Sequence, residues 1–131
     1  LIIISGCDKE MSKEKMRISI KELVLEAAEI AGEKKANDIQ ILDLEGLTVI
    51  ADYFLICSGN SDTQVKAIAR AVEEKLAAEG IVPRKVAGKQ EARWVLLDYA
   101  DFVVHVFHEN DRKYYELERL WADAEKILLN S

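Results

Sequence analysis

The segment Tyr53-Phe54-Leu55-Ile56-Cys57 is an unbroken apolar run, and it constrains the fold more than any other stretch of the chain. It is too short for a helix between its flanking residues, so it reads as a central strand buried on both faces. Ser58-Gly59-Asn60-Ser61 breaks the run, and Asn60 or Ser61 is placed to cap a following helix. That helix carries an apolar stripe of Val65, Ile68, Ala69, Val72 and Leu76 and stops at Gly80.

The remaining elements follow from period. From Ile18 a helix is predicted, with Ile20, Leu23, Val24, Ala27, Ala28 and Ala31 on one side and Lys34 and Lys35 at its negative end. Ile39 to Leu44 alternates as a strand, and Gly46 marks a turn. Ile81-Val82 starts another strand, with Pro83 placing it at a sheet edge or a strand start. Gly88 to Glu91 is a loop. Trp94–Leu97 and Phe102–Phe107 are strands joined by Asp98-Tyr99-Ala100-Asp101. Asn110 or Asp111 caps a final helix with a stripe of Tyr114, Leu117, Leu120, Trp121, Ala124 and Leu128. The fold class is α/β: one domain with a mixed sheet, partly parallel and partly antiparallel, and helices packed on it.

The division expected is a charged, disordered leader over residues 1–16 and a folded domain over residues 17–131. Leu1 to Ile4 followed by Ser5-Gly6-Cys7 resembles a lipoprotein cleavage box, but the run is far too short to span a bilayer and no basic segment precedes it. Met11 and Met16 are the candidate translation starts. Cys7 and Cys57 sit in unrelated settings, which argues against a disulfide framework and for a reducing compartment.

Of the 131 residues, half are hydrophobic and a third are charged, and the formal net charge is -6. That balance argues against a broad nucleic-acid footprint, because phosphate binding rests on Lys and Arg. It suits a basic protein partner, which an acidic surface attracts from a distance.

Three constellations bear on chemistry. The Gly59-Asn60-Ser61 junction lacks both G-x-x-x-x-G-K-[ST] and G-x-G-x-x-G, so a tight turn before a capped helix is favoured over a phosphate cradle. Asp98 and Asp101, with Asp52 or Asp43, were they metal-binding, would suit a nucleotidyltransferase, whose glycine-serine turn beside strand carboxylates the strand–Gly59-Asn60-Ser61–helix layout loosely resembles. Those enzymes need two carboxylates two residues apart on one strand, whereas Asp98 and Asp101 are three apart across a turn, where Asp bonds nearby backbone. His105 and His108 point to opposite faces of a strand and cannot share a metal; His105 reads as a core histidine. No nucleophile motif is present. The reading is a non-enzyme with no catalytic residues, no metal and no cofactor; a nucleotide-binding, nucleotidyltransferase-like enzyme is the alternative. What survives is a surface argument: Trp94 and Leu96 share one face of their strand and Val95 and Leu97 the other, with Asp98 and Tyr99 at its end. The strand is either buried on both sides or offers an aromatic anchor beside a carboxylate to a partner.

Three blocks then carry a resemblance. They are Asp52-Tyr53-Phe54-Leu55-Ile56-Cys57-Ser58-Gly59-Asn60-Ser61, the stretch from Trp94-Val95-Leu96-Leu97-Asp98-Tyr99-Ala100-Asp101 through Phe107, and Arg112 through Trp121. Together with Leu44-Glu45-Gly46 they resemble the Iojap-like ribosomal silencing factors over about Ile20 to Leu128. The resemblance implies a nucleotidyltransferase-like sheet without a working catalytic set. It also implies a cytoplasmic protein that binds the large ribosomal subunit through its protein number fourteen. Joining of the small subunit is then blocked, and translation falls when nutrients run short. It places the contact on Trp94, Leu97 and Asp98, with Tyr99 alongside, allows a homodimer, and involves neither membrane nor DNA. Ala100 departs from the family, which often has glycine there.

Overall fold

Helix α1 runs over Lys9–Glu33, and strand β1 over Asn37–Asp43. Strand β2 (Tyr53–Gly59) leads into helix α2 (Asp62–Ala78). Strands β3 (Lys85–Ala87), β4 (Trp94–Asp98) and β5 (Phe102–His108) follow, then helix α3 (Glu109–Tyr115) and strand β6 (Glu125–Ile127). This computed structural model describes residues 9–115 and 125–127, with the side chains of residues 20–112.

The six strands form one sheet in the order β3-β4-β5-β2-β1-β6. Among the described residues only β2 and β5 run parallel, from Tyr53 opposite Phe102 to Gly59 opposite His108; the other four pairings are antiparallel. The mixed sheet expected from the sequence is therefore present. Its two central strands are β2, with the continuous apolar run, and β5, apolar from Phe102 to Phe107 but for His105, because only an interior strand can bury both sets of alternating side chains.

Both α1 and α2 cover one face. Val24, Ala27, Ile30 and Ala31 of α1 and Val65, Ile68, Val72 and Leu76 of α2 pack on Leu55, Cys57, Val95, Leu97, Val104 and Val106. Each such Ile, Leu or Val contributes roughly 1.5–3 kcal/mol by leaving water. The opposite face holds a second apolar cluster of Leu42, Leu44, Ala51, Phe54, Ile56, Val103 and Phe107, with Trp94 and Leu96 packed against it. Cys57 is fully buried, and burial pushes its thiol up to about 12, so it behaves as a small hydrophobe.

Three boundaries differ from expectation. Helix α1 starts at Lys9, so the leader expected over residues 1–16 overlaps its first turns. Lys9, Glu10, Met11, Lys13 and Glu14 are good helix formers, which apolar periodicity does not register. Ile81-Val82 is not a strand. The Ile81 N–H bonds the Leu76 carbonyl at 2.9 Å, closing the end of α2 after Gly80 at φ 84°, and the strand begins only at Lys85. The final helix is described only to Tyr115, and its expected continuation over residues 116–124 lies outside the described residues. Residues 125–127, expected to be helical, instead pair antiparallel with Ile41, Leu42 and Asp43.

Ser61 caps α2, accepting the Gln64 N–H at 3.1 Å. Gln64 in turn accepts the Asn60 N–H at 2.6 Å and donates to the carbonyls of Lys34 and Lys35 at 3.3 and 2.9 Å. One side chain thus ties the start of α2 to the end of α1. A Cβ at Gly59 would press on the Val65 backbone nitrogen at 3.1 Å, so the glycine serves close packing. The junction is a tight capped turn.

Candidate partner-binding surface

Strand β4 sits between β3 and β5, and its alternation assigns each side chain to a face. Val95 and Leu97 are fully buried beneath the helices. Trp94, Leu96 and Asp98 point to the other face and remain half-buried, forming a row of indole, isobutyl and carboxylate.

Trp94 is held in place. Its indole Nε1–H donates to Nδ1 of His105 at 3.1 Å, and its ring stacks on Phe107 with centroids 4.9 Å apart. His105 is gripped in turn by the edge of Phe54 at 4.6 Å. Burial lowers the imidazole from its ordinary value near 6.5 to about 4, with the Asp98 charge opposing, so His105 is neutral at physiological pH. Since Nδ1 accepts, the proton sits on Nε2, a buried nitrogen with no partner among the described residues. The core role expected for His105 is what its burial and ring contacts describe. It also positions the tryptophan. His108 leaves the sheet elsewhere, with Nε2 3.9 Å from the Asp62 carboxylate.

Asp98 closes the β4–β5 connection. Its Oδ1 accepts the Ala100 N–H at 2.8 Å and its Oδ2 accepts from Arg84 Nε at 3.2 Å. Ala100 adopts φ 73°, a left-handed turn conformation that suits glycine. The alanine keeps the turn because the Asp98 carboxylate and the Tyr99–Phe102 backbone bond, at 2.9 Å, hold both its sides. The other candidate carboxylates have local roles or face solvent: Asp43 accepts the Glu45 N–H at 3.0 Å, and Asp101 is exposed. Among the described residues no three His, Cys, Asp or Glu side chains gather in a way that could hold a metal.

The structure therefore separates the four residues singled out by sequence. Trp94 and Asp98 lie on one face with surface to offer. Leu97, at 0% exposure, and Tyr99, at 8% and stacked on Phe102, belong to the helix-covered core. In the free chain these two side chains support the strand and its turn from behind. Leu96 takes its place in the row. Strand alternation already paired it with Trp94, so the signal was present in the sequence.

Among the described residues no helix is long and apolar enough to cross a membrane. Residues 17–131 match the family described as "Ribosomal silencing factor during starvation". Ribosomal silencing factor RsfS of Bacillus subtilis is 53% identical over 79% of this chain and 88% of its own length. The chloroplastic protein Iojap of Zea mays is 32% identical over 78% of this chain and 44% of its own length. A crystal structure from Bacillus halodurans superposes with a TM-score of 0.71 at 40% identity, covering 85% of this chain and 98% of that one. The matched family and the Bacillus subtilis relative are named for silencing rather than for a reaction. By the extent of these matches, the chain belongs to the Iojap-like ribosomal silencing factor family.

Proposed function

We propose that this protein represses translation by binding the large ribosomal subunit, through its protein number fourteen, and sterically excluding the small subunit when nutrients are scarce. The observation that carries the reading is the row Trp94, Leu96 and Asp98: an aromatic anchor locked by His105 and Phe107, next to a carboxylate, on the face away from α1 and α2. Pre-ordered aromatic side chains lose little entropy on binding and often dominate an interface. The net charge of -6 favours encounter with a basic ribosomal protein. No chemical step is needed, since a bound factor and the small subunit compete for one surface by mass action. The protein works in the cytoplasm, where the subunits meet.

Two substitutions test the contact. Trp94→Ala should weaken large-subunit binding by about 2 kcal/mol, roughly thirtyfold. Asp98→Asn is the cleaner charge probe, because an amide oxygen can still accept the Ala100 N–H while the attraction is removed. It should bind several-fold more weakly and show a shallower salt dependence than the parent. If both variants stay folded and bind like the parent, the contact lies elsewhere.

A further inference from the structure

We infer that the β1–β2 loop, through Leu47, Val49 and Ile50, is a second docking element for the same basic protein partner. The inference rests on the partner reading above and extends its footprint to the end of the sheet. Leu47, Val49 and Ile50 are 48%, 102% and 59% exposed, three large aliphatic side chains within four residues. Single exposed apolar residues need no explanation, but a contiguous group on a fixed loop marks a contact surface.

The loop is fixed by backbone bonds. The Leu44 N–H reaches the Asp52 carbonyl at 2.8 Å, the Leu47 N–H reaches Leu44 at 2.9 Å, and the Thr48 hydroxyl accepts from Ile50 at 3.1 Å. Its flanks Leu44 and Ala51 are buried in the same apolar cluster against which Trp94 and Leu96 pack. The Asp52 N–H also bonds the Asp101 carbonyl at 2.8 Å, joining the loop to the turn that Asp98 closes. The loop therefore lies at the Asp98 end of the proposed contact.

Charge selects the occupant. Glu45, Asp52 and Asp101 surround the loop, and among the described residues no Lys, Arg or His is paired with them. A hollow of about 230 Å³, lined by Ile20, Glu45, Gly46, Asp52 and Tyr53, opens beside it. The negative field is felt by the Tyr53 hydroxyl, pushed up to about 12 by burial and then by Glu45, Asp43 and Asp52. Such a rim repels nucleic-acid phosphates and a second copy of this acidic chain, and it attracts Lys or Arg beside an apolar depression. A basic protein surface meets both requirements.

The test is the double variant Val49→Ser with Ile50→Ser, assayed with purified large subunits beside the parent and Asp98→Asn. Both side chains face solvent, so the melting temperature should hold while affinity falls roughly tenfold or more. Parent-like binding by the double variant, with Asp98→Asn weakened, overturns the loop's role and leaves the reading of the Trp94 face intact. If the parent itself does not bind large subunits, that reading fails, and the inference falls with it.

Discussion

Gly88→Ala should destabilise the fold by about 3 kcal/mol or more, lowering the melting temperature by roughly 10 °C. Two penalties coincide at this position. Its φ of 81° is one that a Cβ disfavours, and the added carbon would overlap the carbonyl oxygen of Trp94. The clash is with backbone, so no side-chain rotation relieves it. The loop cannot shift freely either, because the Gly88 carbonyl accepts the N–H of Ala92 at 3.0 Å and Ala92 is itself fully buried. Whatever movement occurs is passed to Trp94 and through it to the indole's bond with His105. A thermal melt of the purified variant reads the effect directly. A melting temperature within a degree of the parent's would mean that the β3–β4 loop does not have the geometry described.

The second large effect is on pH. An imidazole held near 4 in the folded chain and near 6.5 in the unfolded one binds its proton preferentially in the unfolded state between those values. Its contribution to stability is complete above the unfolded value and declines as pH falls toward 4. The total is on the order of 3 kcal/mol. Carboxylates also titrate in the lower part of that window, so the informative quantity is a difference between proteins. Denaturant melts of the parent at pH 7.5 and 4.5 should differ more than those of His105→Phe, which cannot take up a proton there. Equal pH dependence in the two proteins would show that His105 does not resist protonation. The same variant removes the acceptor for the Trp94 indole, so its tryptophan fluorescence should change even at neutral pH.

Physics explains which parts of this fold could be read from the chain. Tyr53–Cys57 and Phe102–Phe107 announced themselves because a strand buried on both faces is mostly apolar at successive positions, with His105 the one polar side chain in the two. The α2 cap and its stop were equally legible, since capping is local chemistry among neighbours. The edge strands were not. Lys85-Val86-Ala87 has little strand signature, and its pairing with Asp98, Leu97 and Leu96 comes from the other side of a hairpin. Residues 125–127 continue a helical stripe in sequence, yet they add to the sheet through a long-range contact with β1. At the candidate site, alternation separated Trp94 and Leu96 from Val95 and Leu97 correctly. What it could not say was which face the helices would cover, because that depends on how α1 and α2 dock. Leu97 and Tyr99 enter the expected contact through the family resemblance and not through alternation, and their side chains lie in the helix-covered core.

Two properties define the proposed role: which ribosomal subunit the protein binds, and what binding does to subunit joining. Sucrose-gradient co-sedimentation with purified large and small subunits tests both in one experiment. The protein should travel with large subunits and not with small ones. Large subunits loaded with it beforehand should form fewer joined ribosomes when small subunits are added, with the loss growing as the factor is titrated. Equal sedimentation with both subunits, or with neither, would contradict the account, as would normal joining by large subunits that still carry the protein.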